Sequence, residues 1–136
     1  MIATRLDLRN CFLVNSNSDE ITSLKNVEES TAKFFVKAPD NNLLQFVLSD
    51  KVILVEGDAE FILMEAMFKN VCHRTLKESG IGVISVDGKC FKRYLKIAEQ
   101  LQIKVVVITD NDKDFKHNIR ENYYDFSAIK SVTKKN

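Results

Sequence analysis

The sequence predicts an α/β domain built on a parallel sheet flanked by helices. Two observations carry that expectation. Two aliphatic runs, Val52-Ile53-Leu54-Val55 and Val105-Val106-Val107-Ile108, each stop abruptly at a polar turn rich in acids. Between them a helical pattern, a third apolar run and a second helical pattern follow with short links, and a β-α-β-α-β order favours parallel strands joined by right-handed crossovers.

Each element has its own justification. Cys11-Phe12-Leu13-Val14 reads as a strand, closed by the polar cluster 15–19. Thr31 to Lys37 reads as a helix. Pro39, the single proline, stands beside Asp40-Asn41-Asn42 and marks a break. Leu43 to Leu48 reads as a short helix. Strand 52–55 leads to a helix from about Ala59 to about Leu76, with Phe61, Leu63, Met64, Met67, Phe68 and Val71 as its apolar face. Ser79-Gly80 ends it, and strand 82–86 runs to Asp87-Gly88. A helix from about Cys90 to Leu101 presents Phe91, Tyr94, Leu95, Ala98 and Leu101, and strand 104–109 follows. A third helix is expected after Asp114, and residues 127–136 form either a fourth strand or a frayed tail. The domain division expected is a lead-in over 1–49 and the α/β domain over 50–136.

At 136 residues the chain can bury one proper core. Its 45% hydrophobic and 29% charged content fits a globular protein, not a disordered or membrane class. No apolar run approaches the roughly 20 residues of a membrane span, and the N-terminus lacks a signal-peptide core. The three cysteines, Cys11, Cys72 and Cys90, are widely spaced without a CxxC pair. That pattern predicts reduced thiols in a cytoplasmic protein. The formal net charge of +1 means that any basic surface is local.

The chemistry gathers at the strand ends. Glu56 closes one strand, and Glu60 falls in the first turn of the next helix, so both can face one crevice. In open α/β sheets that crevice lies beyond the carboxyl ends of the strands. The other strand runs into Asp110-Asn111-Asp112-Lys113-Asp114. Alternation brings Asp110 and Asp112 to similar sides, and such hard oxygens, Asp114 included, suit Mg²⁺ or Mn²⁺. The plainer alternatives are a capped helix start and an ordinary Asp/Asn turn. Lys89, Lys92, Arg93 and Lys96 give a helix a cationic side that could meet phosphates, or simply a solvated face. A P-loop is excluded, because the glycine required before Gly88-Lys89 falls on Val83 and Cys90 stands in place of Ser/Thr. GxGxxG is absent, and neither His73 nor His117 has a partner at ligand spacing.

VEGDAE over Val55–Glu60, the segment Val86 to Phe91, and TDND over Thr109–Asp112 together resemble the Toprim domain of the overcoming-lysogenization-defect (OLD) family nucleases. Residues 5–10 resemble the segment that joins that family's ATPase and Toprim domains. The resemblance implies a Toprim (Rossmann-like) parallel sheet with a short N-terminal lead-in, and a metal-dependent DNA endonuclease. It further implies Glu56, Asp110 and Asp112 as metal ligands or their water-mediated partners, Glu60 as an acid of a second site, and two ions. DNA and the ATPase domain of the same full-length protein are the implied partners. ATP would act only through that domain, and the full-length protein could form an oligomer. Lys113 stands where the family often has glycine, Walker motifs are absent, and no downstream catalytic lysine can be matched. The chain therefore reads as a piece of a longer protein. Two other readings remain: a receiver-like, Mg²⁺-dependent phosphoacceptor module, and a non-catalytic docking or dimerisation domain.

Overall fold

The computed structural model describes residues 7–14, 21–37, 42–86 and 90–109. The chain divides into two compact units, Met1–Leu48 and Ser49–Asn136.

In the first unit, β1 (Phe12–Val14) and β2 (Ile21–Ser23) pair antiparallel, with Leu13 opposite Thr22. The strand β2 was not anticipated, since three residues of mixed polarity carry no readable alternation. Helix α1 (Glu29–Lys37) starts two residues earlier than its apolar pattern suggests. Glu29 extends it, acting on the helix N-terminus and pairing with Lys33 one turn on at 2.6 Å. Helix α2 covers Leu43–Val47. Leu8, Leu24, Val27, Ala32, Phe35, Leu43 and Phe46 are buried.

The second unit follows the expected order: β3 (Lys51–Val55), α3 (Asp58–Cys72), β4 (Ile81–Ser85), α4 (Phe91–Leu101) and β5 (Lys104–Ile108). The strands form a parallel sheet in the order β4-β3-β5. The first crossover steps from the centre to one flank, and the second returns past the centre to the other. Two right-handed crossovers in opposite directions put their helices on opposite faces. One face carries Ile53, Val55, Ile81 and Val83, against which Met64, Phe68 and Leu76 pack. The other carries Val52, Leu54 and Ile84, all buried, and falls to α4. That helix buries Phe91, Tyr94, Leu95, Ile97 and Ala98, a single stripe at helical spacing.

Two expectations are corrected in detail. Helix α3 ends at Cys72, not near Leu76. Thr75 and Glu78 form a reciprocal capping box: the Thr75 amide donates to Glu78 Oε2 at 2.8 Å, and the Glu78 amide donates to Thr75 Oγ1 at 3.2 Å. This box starts a separate short turn over Lys77–Ser79. His73 adopts a left-handed φ of 54° to leave the helix. Nor is the apolar face of α3 a core face throughout. Met64 and Phe68 pack on the sheet, whereas Leu63 is 56% and Val71 76% exposed, and Phe61 and Met67 are exposed too. The six apolar residues span nearly half the helix circumference, and only Met64 and Phe68 within that arc pack on the sheet. The elements expected after Asp114 lie outside the described residues.

Candidate metal and active site

The strand register builds the site. Val55 lies opposite Ser85 on β4 and Ile108 on β5. The next residue on each strand therefore falls on one edge: Glu56, Val86 and Thr109. The Val86 amide donates to the Val55 carbonyl at 2.8 Å, which carries the ladder to that edge. Glu56 and Thr109 meet there, with Thr109 Oγ1 donating to Glu56 Oε2 at 2.5 Å. That length is typical of a hydroxyl donating to a carboxylate.

The turn Glu56-Gly57-Asp58 then enters α3. Gly57 is the N-cap in an extended conformation, and Asp58 and Glu60 occupy the first helical turn, where the helix dipole favours negative charge. A Cβ at Gly57 would meet Glu60 Oε2 at 3.0 Å, so the Glu60 carboxylate folds back over the turn. Glycine here leaves room for that approach. Ser85 Oγ donates to Asp58 Oδ1 at 3.2 Å from the opposite flank.

Glu56 and Glu60 thus share one end of the sheet, both partly exposed. Asp110, Asp112, Asp114 and Lys89 lie outside the described residues; the first three begin directly after Thr109. Among the described residues no three of His, Cys, Asp and Glu gather closely enough to hold a metal ion. Lys92 is exposed and Arg93 half-buried at the start of α4. The helix follows β4 and so begins at the same end of the sheet as Glu56. A shallow depression lined by Ala66, Met67, Lys69, Asn70 and His73 lies toward the far end of α3, away from the acids.

The sequence reading did not single out Thr109 or Ser85 as site residues. Each is a hydroxyl at the end of a flanking strand, and their strand-end positions beside Glu56 and Asp58 were the available signal.

A family model described as overcoming lysogenization defect protein-like, TOPRIM domain, matches residues 47–112. Over those residues the chain is similar to an OLD-like Toprim domain. No curated protein and no solved structure matches the chain significantly. The match spans β3 through β5, so it covers the described three-stranded parallel sheet. A Toprim domain of this family points to a nuclease-type, metal-binding function. Glu56 and Glu60 supply carboxylate oxygens, the donor type that suits a hard divalent cation such as Mg²⁺. No helix among the described residues is long and apolar enough to cross a membrane.

Proposed function

We propose that this Toprim domain is the divalent-metal-dependent DNA endonuclease module of an OLD-type ATPase-nuclease. The observation that carries the reading is the register of β3 with β5. It sets Glu56 beside Thr109, the residue that precedes Asp110, Asn111 and Asp112 in the sequence.

In this reading Glu56, Asp110 and Asp112 hold one Mg²⁺ or Mn²⁺, Glu60 belongs to a second site, and Asp114 adds an oxygen at the margin. Bound there, such ions would supply charge stabilisation to the attacking and leaving oxygens of a phosphodiester cleavage. The chain's own groups do the rest. The carboxylates place that charge at the sheet edge, and Lys89, Lys92 and Arg93 grip the DNA backbone beside it. Residues 1–49 are the lead-in from an ATPase domain of the full-length protein, through which ATP acts, and residues 50–136 are the Toprim domain. The working compartment is the cytoplasm.

The test is thermal unfolding of the 136-residue chain with and without Mn²⁺. A ligand bound only by the folded state at about a hundred times its dissociation constant adds roughly 2.7 kcal/mol. Glu56→Gln and Asp110→Asn should each abolish most of the gain. A wild-type melting temperature that ignores millimolar Mn²⁺ and Mg²⁺ refutes the metal reading and leaves the docking-module alternative. Labelling by a small phosphodonor would instead favour the receiver-like one.

A further inference from the structure

Helix α3 leaves an apolar flank uncovered. Its inner side, Met64 and Phe68, packs on the sheet, where the helix rests on β3 and β4. Leu63, Met67 and Val71, at i, i+4 and i+8, form a ridge to one side, and all three are exposed. The right-handed crossover from β3 to β4 turns that ridge away from β4 and toward β5. There Val106 and Ile108 pair with Ile53 and Val55 and so share the face on which α3 lies. Both are exposed as well. Ridge and strand thus form the wall and floor of one apolar groove within the second unit. Single apolar residues on a surface need no explanation, but a contiguous patch across two neighbouring elements marks an interaction site.

We propose that this groove is the contact surface of a symmetric dimer, in which α3 lies antiparallel against α3 of a second copy of the chain. The charge along the helix selects that occupant. Asp58 and Glu60 stand in the first turn, whereas Lys69, His73 and Arg74 gather at the other end. A two-fold axis across the middle of α3 sets the acidic start of each helix beside the basic end of the other, and opposes the helix dipoles in the same sense. An isologous interface needs such a self-complementary surface. A parallel pair would instead bring acid to acid and base to base. The apolar side chains supply the adhesion. With the axis close to Met67, Leu63 of one copy nears Val71 of the other, and the bare faces of both β5 strands close over the seam. Ala66 is small, and the shallow depression that it lines with Met67 and Asn70 gives the second helix room to approach. The inference does not rest on the metal reading: it uses the charge of Asp58 and Glu60, not a bound ion.

The experiment is sedimentation equilibrium of the 136-residue chain over a range of concentrations, followed by directed cross-linking. The wild-type mass should rise from 15.6 kDa to twice that value as the concentration rises. Met67→Glu sets like charges at the axis and should hold the chain at the single mass. Its circular dichroism should match the wild type's, because the position is exposed. A Cys72→Ser background removes the exposed thiol. In it, Met67→Cys should oxidise to a covalent dimer. Leu63→Cys and Val71→Cys should each stay monomeric alone and couple when mixed. A wild-type chain that remains at 15.6 kDa into the millimolar range overturns the inference. So does a Met67→Glu chain that pairs as strongly as the wild type, which would place the contact on another face. Self-coupling of Leu63→Cys and of Val71→Cys, without coupling between them, would show a parallel pair and overturns it too, as does equal coupling in every combination. If Met67→Glu unfolds, the cross-linking pattern decides alone.

Discussion

Tyr94 lies on the buried stripe of α4, and burial, with the nearby Cys90 adding to it, pushes its hydroxyl from 10.0 up to about 12. The folded chain holds this proton more tightly than the unfolded one. The linked stability is therefore complete below pH 10 and is lost as the pH rises toward 12. A shift of that size corresponds to roughly 3 kcal/mol. Tyr94→Phe should flatten the fall in stability between pH 10 and 12, followed by denaturant unfolding at each pH; an unchanged slope would mean that the hydroxyl is solvated. At the acid end, the Arg9 guanidinium beside Asp7 holds that carboxyl down at about 2. Asp7 therefore favours folding above its ordinary value of 3.8 and ceases to as the pH falls toward 2. Its exposure keeps the contribution small. Acids announce themselves in a sequence by breaking an apolar strand, as Glu56 does. The hydroxyls that orient them do not, because Ser and Thr end strands for many reasons.

The two helices of the Toprim sheet differ in how they are held. Helix α4 is a one-sided amphipath whose buried stripe includes Leu95, with no exposed surface. Helix α3 has no fully buried residue, and Ile62 is 70% exposed. Leu95→Ala should cost about 2–5 kcal/mol, the range for emptying a packed core site. Ile62→Ala should stay within about 0.5 kcal/mol. Urea midpoints of the two variants test the contrast, and equal losses would show that α3 is as deeply packed as α4. Periodicity was enough to find both helices, and the aliphatic runs were enough to find β3, β4 and β5. It could not find where α3 stops, because Thr75-Leu76-Lys77-Glu78 continues a helical composition while its side chains cap a new turn. Nor could it separate the apolar residues of α3 that touch the sheet from those that do not, since that depends on where the sheet ends.

For the molecule as a whole, a formal net charge of +1 supplies no general attraction to a polyanion. Any grip on DNA must come from a local cluster, and Lys92 and Arg93 stand at the start of α4, at the acidic end of the sheet. On the proposed nuclease reading, Lys92→Ala with Arg93→Ala should weaken binding equally across DNA sequences. It should also reduce the slope of log affinity against log salt by about one to two, near 0.9 per phosphate contact. Superimposable salt curves would place these side chains away from the backbone. The order β4-β3-β5 has a consequence for how the molecule comes into being. The chain lays down the middle strand first, and β3 can pair with β4 as soon as the first crossover is made. Glu56 meets Thr109 only when β5, last of the three in the chain, slides in on the open flank. Completing the sheet and forming the Glu56–Thr109 contact are then a single event.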